Sequence, residues 1–251
     1  MSEVNFQNKL FINVANIIWS YNHETKKVLI LLVKNSLGNY TGRWGLPITA
    51  LRSDESADQA SLRLIREKIG INLPNFYTEQ LATFSNVKRS EEYREIALTY
   101  MTYLPTMPKL KAGYGAEKVN WFEVGYSAEQ YLLKYQDLEF TTLSSKISVE
   151  DFYNTIDQYQ GQAQLVSDHA LILRLAFKRI LNRLDYLPTI LLILGTSFTL
   201  KQAREVYATF LKEDIQQIDN SNFRKTHAHL FKEIGLEHGK SGRPAKLYQL
   251  K

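Results

Sequence analysis

The apolar positions of this chain change rhythm twice. Up to about residue 125 they come as short runs rich in β-branched and aromatic residues: Phe11–Trp19, Lys27–Val33 (KVLILLV), Gln80–Ser85, Glu95–Leu104 and Lys118–Val124. Such runs, separated by polar or glycine-containing stretches, predict strands. One segment among them has helical spacing. Ser53 or Asp54 is placed to cap it, Glu55 falls in its first turn, and Ala57, Ala60, Leu64 and Ile65 form a buried stripe. Gly70 ends it near Lys68. Residues 126–167 keep neither rhythm. Tyr131–Thr142 fits a strand or a short hairpin, Val149–Tyr159 a short helix, and QYQGQAQ (158–164) a linker.

From Ser167 onward the spacing is helical. Asp168 caps a helix through Arg183, with Leu171, Leu175, Phe177 and Leu181 as its apolar side. Pro188 suits the first turn of a short buried helix. Thr199 caps Leu200–Lys212, and Asp219 or Ser221 caps a helix reaching about Glu233, stopped by Gly235. The end, LEHGKSGRPAKLYQL, reads as a hairpin with a Gly/Lys/Ser/Gly/Arg/Pro tip. Strands with one helix, then helices closed by a basic hairpin, give an α+β unit followed by the outline of a winged helix-turn-helix.

Composition adds a division of charge. The formal net charge is +5. Residues 161–251 hold 14 Lys+Arg against 8 Asp+Glu, while the first 160 hold 17 against 18. A near-neutral front and a basic tail suggest two units, the second facing a polyanion. The chain has no cysteine, which excludes disulfides and thiolate metal sites and is compatible with the cytoplasm. The beginning of the sequence lacks a signal-peptide pattern, and the longest apolar run, Leu187–Leu194, is far short of the ~20 residues of a membrane span.

The chemistry centres on Trp44–Ile71, WGLPITALRSDESADQASLRLIREKIGI. Trp44, Leu46, Pro47, Glu55, Arg63, Ile65, Glu67, Gly70 and Ile71 fall in the register of a Nudix box, without a gap. The departures lie in the reactive positions. The lead-in glycines are Ile48 and Thr49, the upstream glutamate is Arg52, the Arg-Glu pair is Arg63-Leu64, and the Glu-Glu pair is Glu67-Lys68. Positions 64, 67 and 68 share one helical face, where a Nudix enzyme gathers carboxylates around Mg²⁺. One carboxylate, one leucine and one ammonium would hold that ion poorly. Arg52, Arg63, Glu67 and Lys68 are therefore candidates for binding an anionic ligand without cutting it. For Arg63 a bond to Glu67 or Glu55 that holds the fold is the plainer alternative.

In the tail, Asn222, Arg224, Lys225, Thr226, His227 and His229 lie within two turns of the third predicted helix. A recognition helix presents such donors and acceptors to base edges. Two residues apart, the histidines face different ways and make no metal pair. Lys240 and Arg243 at the hairpin tip suit phosphates or a narrow minor groove. Thr199 and Lys201 at a helix start, and Lys246 after the tip, complete the DNA-binding candidates. SDHALIL, FTLKQAREVY, NFRK and GRPAKLYQL are similar to pieces of the C-terminal winged helix of Nudix-related transcriptional regulators.

That resemblance, together with the altered box, implies an α/β/α Nudix-like sandwich with a C-terminal winged helix-turn-helix domain. Residues 1–160 would be the sensor, with 126–166 an enlarged connection, and 167–251 the DNA-binding domain. It further implies a homodimer on a palindromic operator in double-stranded DNA. The effector would be ADP-ribose, a related NAD metabolite or a sugar, with no cofactor, no metal and no membrane. The rival expectation is a Nudix hydrolase using Glu55, Glu67 or Glu92 as atypical metal ligands.

Overall fold

The computed structural model describes residues 10–71, 76–90, 93–161, 163–237 and 244–251. In chain order, strands β1 (Leu10–Asn22), β2 (Lys27–Asn35), β3 (Trp44–Gly45), β4 (Ile48–Ala50), β5 (Tyr77–Phe84), β6 (Arg94–Tyr103), β7 (Ala116–Tyr126), β8 (Tyr131–Tyr135) and β9 (Leu138–Thr141) build one mixed sheet. Its spatial order is β5-β6-β1-β2-β7-β8-β9, with β3 on β2 and β4 on β1. β1 is the axis. It runs parallel to β6 from Leu10 to Trp19, and its other edge takes β4 at Asn13–Ala15 and β2 at Trp19–Asn22. Alternation along β1 sends Val14 and Ile18 to one face and Ile17, Trp19 and Tyr21 to the other.

Helix α1 (Ala57–Ile69) covers the first face, burying Ala60, Leu64, Ile65 and Ile69. It starts later than Ser53 or Asp54 would set it. Ser56 is the cap, because only Ser56 has a glutamine three residues on, and the two side chains bond each other's backbone N–H groups. Glu55 thus precedes the helix rather than lying in its first turn. Gly70 ends it in the left-handed conformation at φ 68°.

Helix α3 (His169–Arg183) covers the second face. Its ring of Phe177 meets Trp19 at 5.1 Å edge-on and stacks on Tyr131 at 3.9 Å. Its buried surface is wider than the expected stripe: Ile172, Leu173, Ala176 and Ile180 are inside, whereas Leu181 is exposed. The cause is that α3 touches the sheet and the C-terminal core at once, Phe177 also lying 5.7 Å from Phe210. β8 and β9 form a hairpin on the edge of β7, and α2 (Val149–Asn154) runs into a 3-10 turn at Ile156–Tyr159.

The last quarter holds a buried 3-10 turn (Thr189–Leu194), α4 (Leu200–Leu211), α5 (Asn220–His227), and a three-stranded sheet of β10 (Phe198–Thr199), β12 (Lys246–Leu250) and β11 (Phe231–Leu236) in that spatial order. α5 ends at His227, short of Glu233. Phe231 is drawn into β11 instead, pairing with Leu250 and packing on Phe198 at 5.4 Å. Gly235 therefore sits at a bulge in a strand and not at a helix end. Among the described residues no helix is long and apolar enough to cross a membrane.

Candidate functional site

In the box, Arg63 is the brace. It donates from Nε and Nη2 to the two Glu55 oxygens at 2.7 and 2.5 Å, from Nη2 to Ala50 O at 2.9 Å, and from Nη1 to Thr49 Oγ1 at 3.0 Å. Glu55 also accepts from the Arg52 backbone N–H at 3.0 Å. Hydrogen bonds from Arg63 above all hold the Glu55 carboxyl down to about 2. Glu67 receives long contacts of 3.4 Å from both Arg52 and Arg63 at the surface. Leu64 faces the sheet, 1% exposed. The cavity beside these residues is a shallow one of 220 Å³ lined by Gln59, Leu62, Arg63, Arg66 and Glu67. The Lys68 side chain and Glu92 lie outside the described residues.

The winged-helix face is built from α4, α5 and the β11–β12 hairpin. Asp219 caps α5 through the Asn222 N–H at 2.7 Å. Phe223 and His227, four apart, turn inward onto Tyr207, which leaves Asn222, Arg224, Lys225 and Thr226 exposed on the outer face. His227 is thereby parted from its predicted neighbours. It is buried, with Nδ1 2.9 Å from Phe223 O and Nε2 3.3 Å from Asp185 Oδ1. Thr199 is also buried, its hydroxyl capping α4 through Gln202 N–H. Lys201 is exposed on the first turn of that helix. Lys246 is exposed and bonded to Glu233 at 2.8 Å. Lys240, Arg243 and the hairpin tip lie outside the described residues. Lys201, Arg224 and Lys246 share a 550 Å³ cleft with Tyr21 of β1 and with His23 and Lys26 of the turn that follows it, and there Tyr21 OH donates to Glu205 at 2.6 Å.

A third cluster was hidden in the sequence. Arg89, in a loop that reads only as charged, is buried and donates from Nη1 to Glu95 at 2.6 Å and from Nη2 and Nε to Asp168 at 2.9 and 3.1 Å. Tyr153 OH donates to Asp168 at 2.7 Å, and Asn13 to Glu95 at 2.8 Å. Asp168 so occupied makes no side-chain cap for α3. Burial alone would lower the Arg89 pKa, but the two carboxylates hold it above the ordinary arginine value. One residue on, the His169 ring accepts from the Leu46 N–H at 3.0 Å, and Val166 N–H donates to Trp44 O at 3.0 Å. A Cβ on Gly45 would come within 2.6 Å of both Val166 and His169 side chains, so only glycine allows this approach. The adjacent Ser167-Asp168-His169 was the available signal.

Residues 190–250 match the family model of the NrtR DNA-binding winged helix domain. The whole chain superposes on a MutT/nudix family protein from Enterococcus faecalis with a TM-score of 0.82 and 30% identity, covering 100% of this chain and 90% of that one. It also shares the fold of Shewanella oneidensis NrtR complexed with a 27mer DNA, at a TM-score of 0.64 and 24% identity over 96% of this chain and 93% of that one. An Acinetobacter baylyi protein described as the ADPR responsive transcriptional repressor NtrR is 22% identical over 225 residues, 88% of this chain and 74% of the relative. The chain belongs to the MutT/Nudix family, with a sheet domain joined to a winged helix of the NrtR kind.

Proposed function

We propose that this chain is a ligand-responsive transcriptional repressor that binds double-stranded DNA through its winged helix and senses ADP-ribose through its Nudix domain. The observation that carries the DNA half is the outer face of α5. Asn222, Arg224, Lys225 and Thr226 are exposed together, while Phe223 and His227 fasten the helix from beneath. Arg224 and Asn222 would read bases; Lys201, Lys225, Lys240, Arg243 and Lys246 would neutralise phosphates. Two copies on a palindromic operator in the cytoplasm would place two such helices in successive major grooves. ADP-ribose is the effector suggested by the Acinetobacter relative.

The sensor would bind without hydrolysing. A Nudix hydrolase needs free carboxylates for a divalent cation. Glu55 is clasped bidentately by Arg63, Glu67 is shared between Arg52 and Arg63, and position 64 is leucine. These residues do not fit Mg²⁺.

The test is fluorescence anisotropy with a duplex from the chain's own promoter region. Expected are Kd values of about 10⁻⁸ M or tighter at physiological salt, steep weakening with added salt, and release by ADP-ribose. Arg224→Ala should weaken DNA binding at least tenfold and leave ADP-ribose binding unchanged. Equal affinity for an unrelated duplex would refute the regulatory reading.

A further inference from the structure

On the far side of the sheet from α1, residues 37–40 and 43 face residues 88–90 and 93 across a cavity of 340 Å³, lined by Tyr40, Arg43, Lys88, Arg89, Tyr93 and Gln160 among others. Arg43 is its unusual member. The residue is 9% exposed, yet no carboxylate lies within ion-pair distance of it among the described residues. Its Nη1 donates to Gln160 Oε1 at 3.2 Å, its Nη2 has one long contact to Gly161 O at 3.5 Å, and its Nε has no partner. A buried guanidinium is normally paired, since desolvating it is costly. Among the described residues, the partners that face it are neutral acceptors and the Tyr40 ring, 6.0 Å away.

Arg43 so brings an uncompensated positive charge to the cavity wall, and a phosphate is the group that a guanidinium pairs with most strongly. The backbone beneath it is fixed: Asn35 N–H and Asn35 Nδ2 both donate to Arg43 O, at 2.9 and 3.0 Å. Lys88 adds a second cation on the rim, bonded only to the neutral Asn154. The carboxylates of Glu95 and Asp168 lie behind Arg89, which engages both. Tyr40 and Tyr93 also line it. We infer that this cavity is an anion site that takes a phosphate group of the sensor's effector, held by Arg43 and Lys88, rather than the shallow surface along α1.

This site rests on the sensor reading above and places it. It also gives the ligand a lever. Arg43 precedes Trp44–Gly45, which bond and pack against Val166 and His169. Arg89 ties the opposite wall to Asp168. Both walls therefore touch the start of α3.

The experiment is isothermal titration of the full chain with ADP-ribose and with inorganic pyrophosphate, plus urea unfolding of each variant. Wild type should bind both, the two competing. Arg43→Gln should lose at least tenfold in affinity for each while unfolding at an equal or higher urea midpoint, because it removes an unpaired buried charge. Lys88→Gln, at the rim, should lose severalfold. If Arg43→Gln fails to fold, Arg43→Lys supplies the readout: it keeps the charge, cannot chelate, and should lose severalfold. Undiminished affinity in these variants would overturn the site and leave the sensor reading standing. Binding of neither ligand by wild type would overturn the ADP-ribose reading and this site with it. A less stable Arg43→Gln with unchanged affinity would assign Arg43 a packing role only.

Discussion

The junction between the sheet and α3 can be tested by removing one charge from it with Asp168→Asn. Asp168 is fully buried and accepts from Arg89 Nε and Nη2 and from Tyr153 OH. An asparagine of the same shape keeps one acceptor oxygen and sets an NH₂ donor against the donors that remain. Breaking a buried ion pair by deleting one partner costs about 3–5 kcal/mol. Arg89 keeps Glu95 at 2.6 Å, so the low end of that range, about 3 kcal/mol, is expected. For a chain of this size that is a fall of roughly 6–12 °C in Tm. The assay is urea unfolding at pH 7, which should show a lower midpoint with an unchanged slope. Tyr153→Phe removes one hydrogen bond to the same oxygen and should cost about 1 kcal/mol. In the double variant the costs should fall short of their sum, since Tyr153 no longer has a carboxylate to lose. A loss below about 1 kcal/mol for Asp168→Asn would refute the claim that this cluster locks α3 to the sheet.

Three further outcomes follow from the same geometry. Gly45→Ala drives a methyl into Val166 and His169 and should destabilise by about 1–3 kcal/mol, read as a lower urea midpoint; an unchanged midpoint would mean the two segments do not meet. Glu55 has its pKa lowered from 4.5 to about 2, so its stabilising contribution is complete above about pH 5 and lost as pH falls through 2; the stability gap between wild type and Glu55→Gln should be flat from pH 7 to 5 and shrink below that. Incubation with ADP-ribose and Mg²⁺ or Mn²⁺ should yield no phosphate-containing products, and turnover abolished by Glu67→Gln would restore the hydrolase reading.

The sheet was legible because its strands are apolar runs with clear breaks, and α1 because its stripe and Gly70 agree. The winged helix was legible from its caps, Thr199 and Asp219, and from Phe223 at the centre of a polar helix. Other features depend on contacts far apart in sequence. Tyr131–Thr142 lacks a strong alternation since β8 and β9 gain their order from the edge of β7. α5 stops at His227 because Phe231 is claimed by Leu250 of β12, nineteen residues away. Asp168 reads locally as a cap, but Arg89, 79 residues earlier, outcompetes the helix N–H groups for it. Arg43 sits in an unremarkable loop; only burial without a carboxylate marks it.

Two stretches that stand apart in the sequence, WGLP in the box and SDH at the head of α3, are one contact in the fold. Through that contact Trp44, Gly45 and Leu46 of the box seat a helix. α3 spans roughly 22 Å at about 1.5 Å per residue, and both ends are held. At its start are Arg89 and Leu46; just beyond its end Leu184 O accepts from Tyr207 OH at 2.6 Å and Asp185 meets His227 of α5. On one side Phe177 packs against Trp19, Tyr131 and Phe210, while Leu171, Leu175 and Leu181 line a cavity of 930 Å³ on the other. α3 therefore joins Arg89 and Leu46 at the sheet to Tyr207 and His227, two residues that the winged helix buries rather than shows.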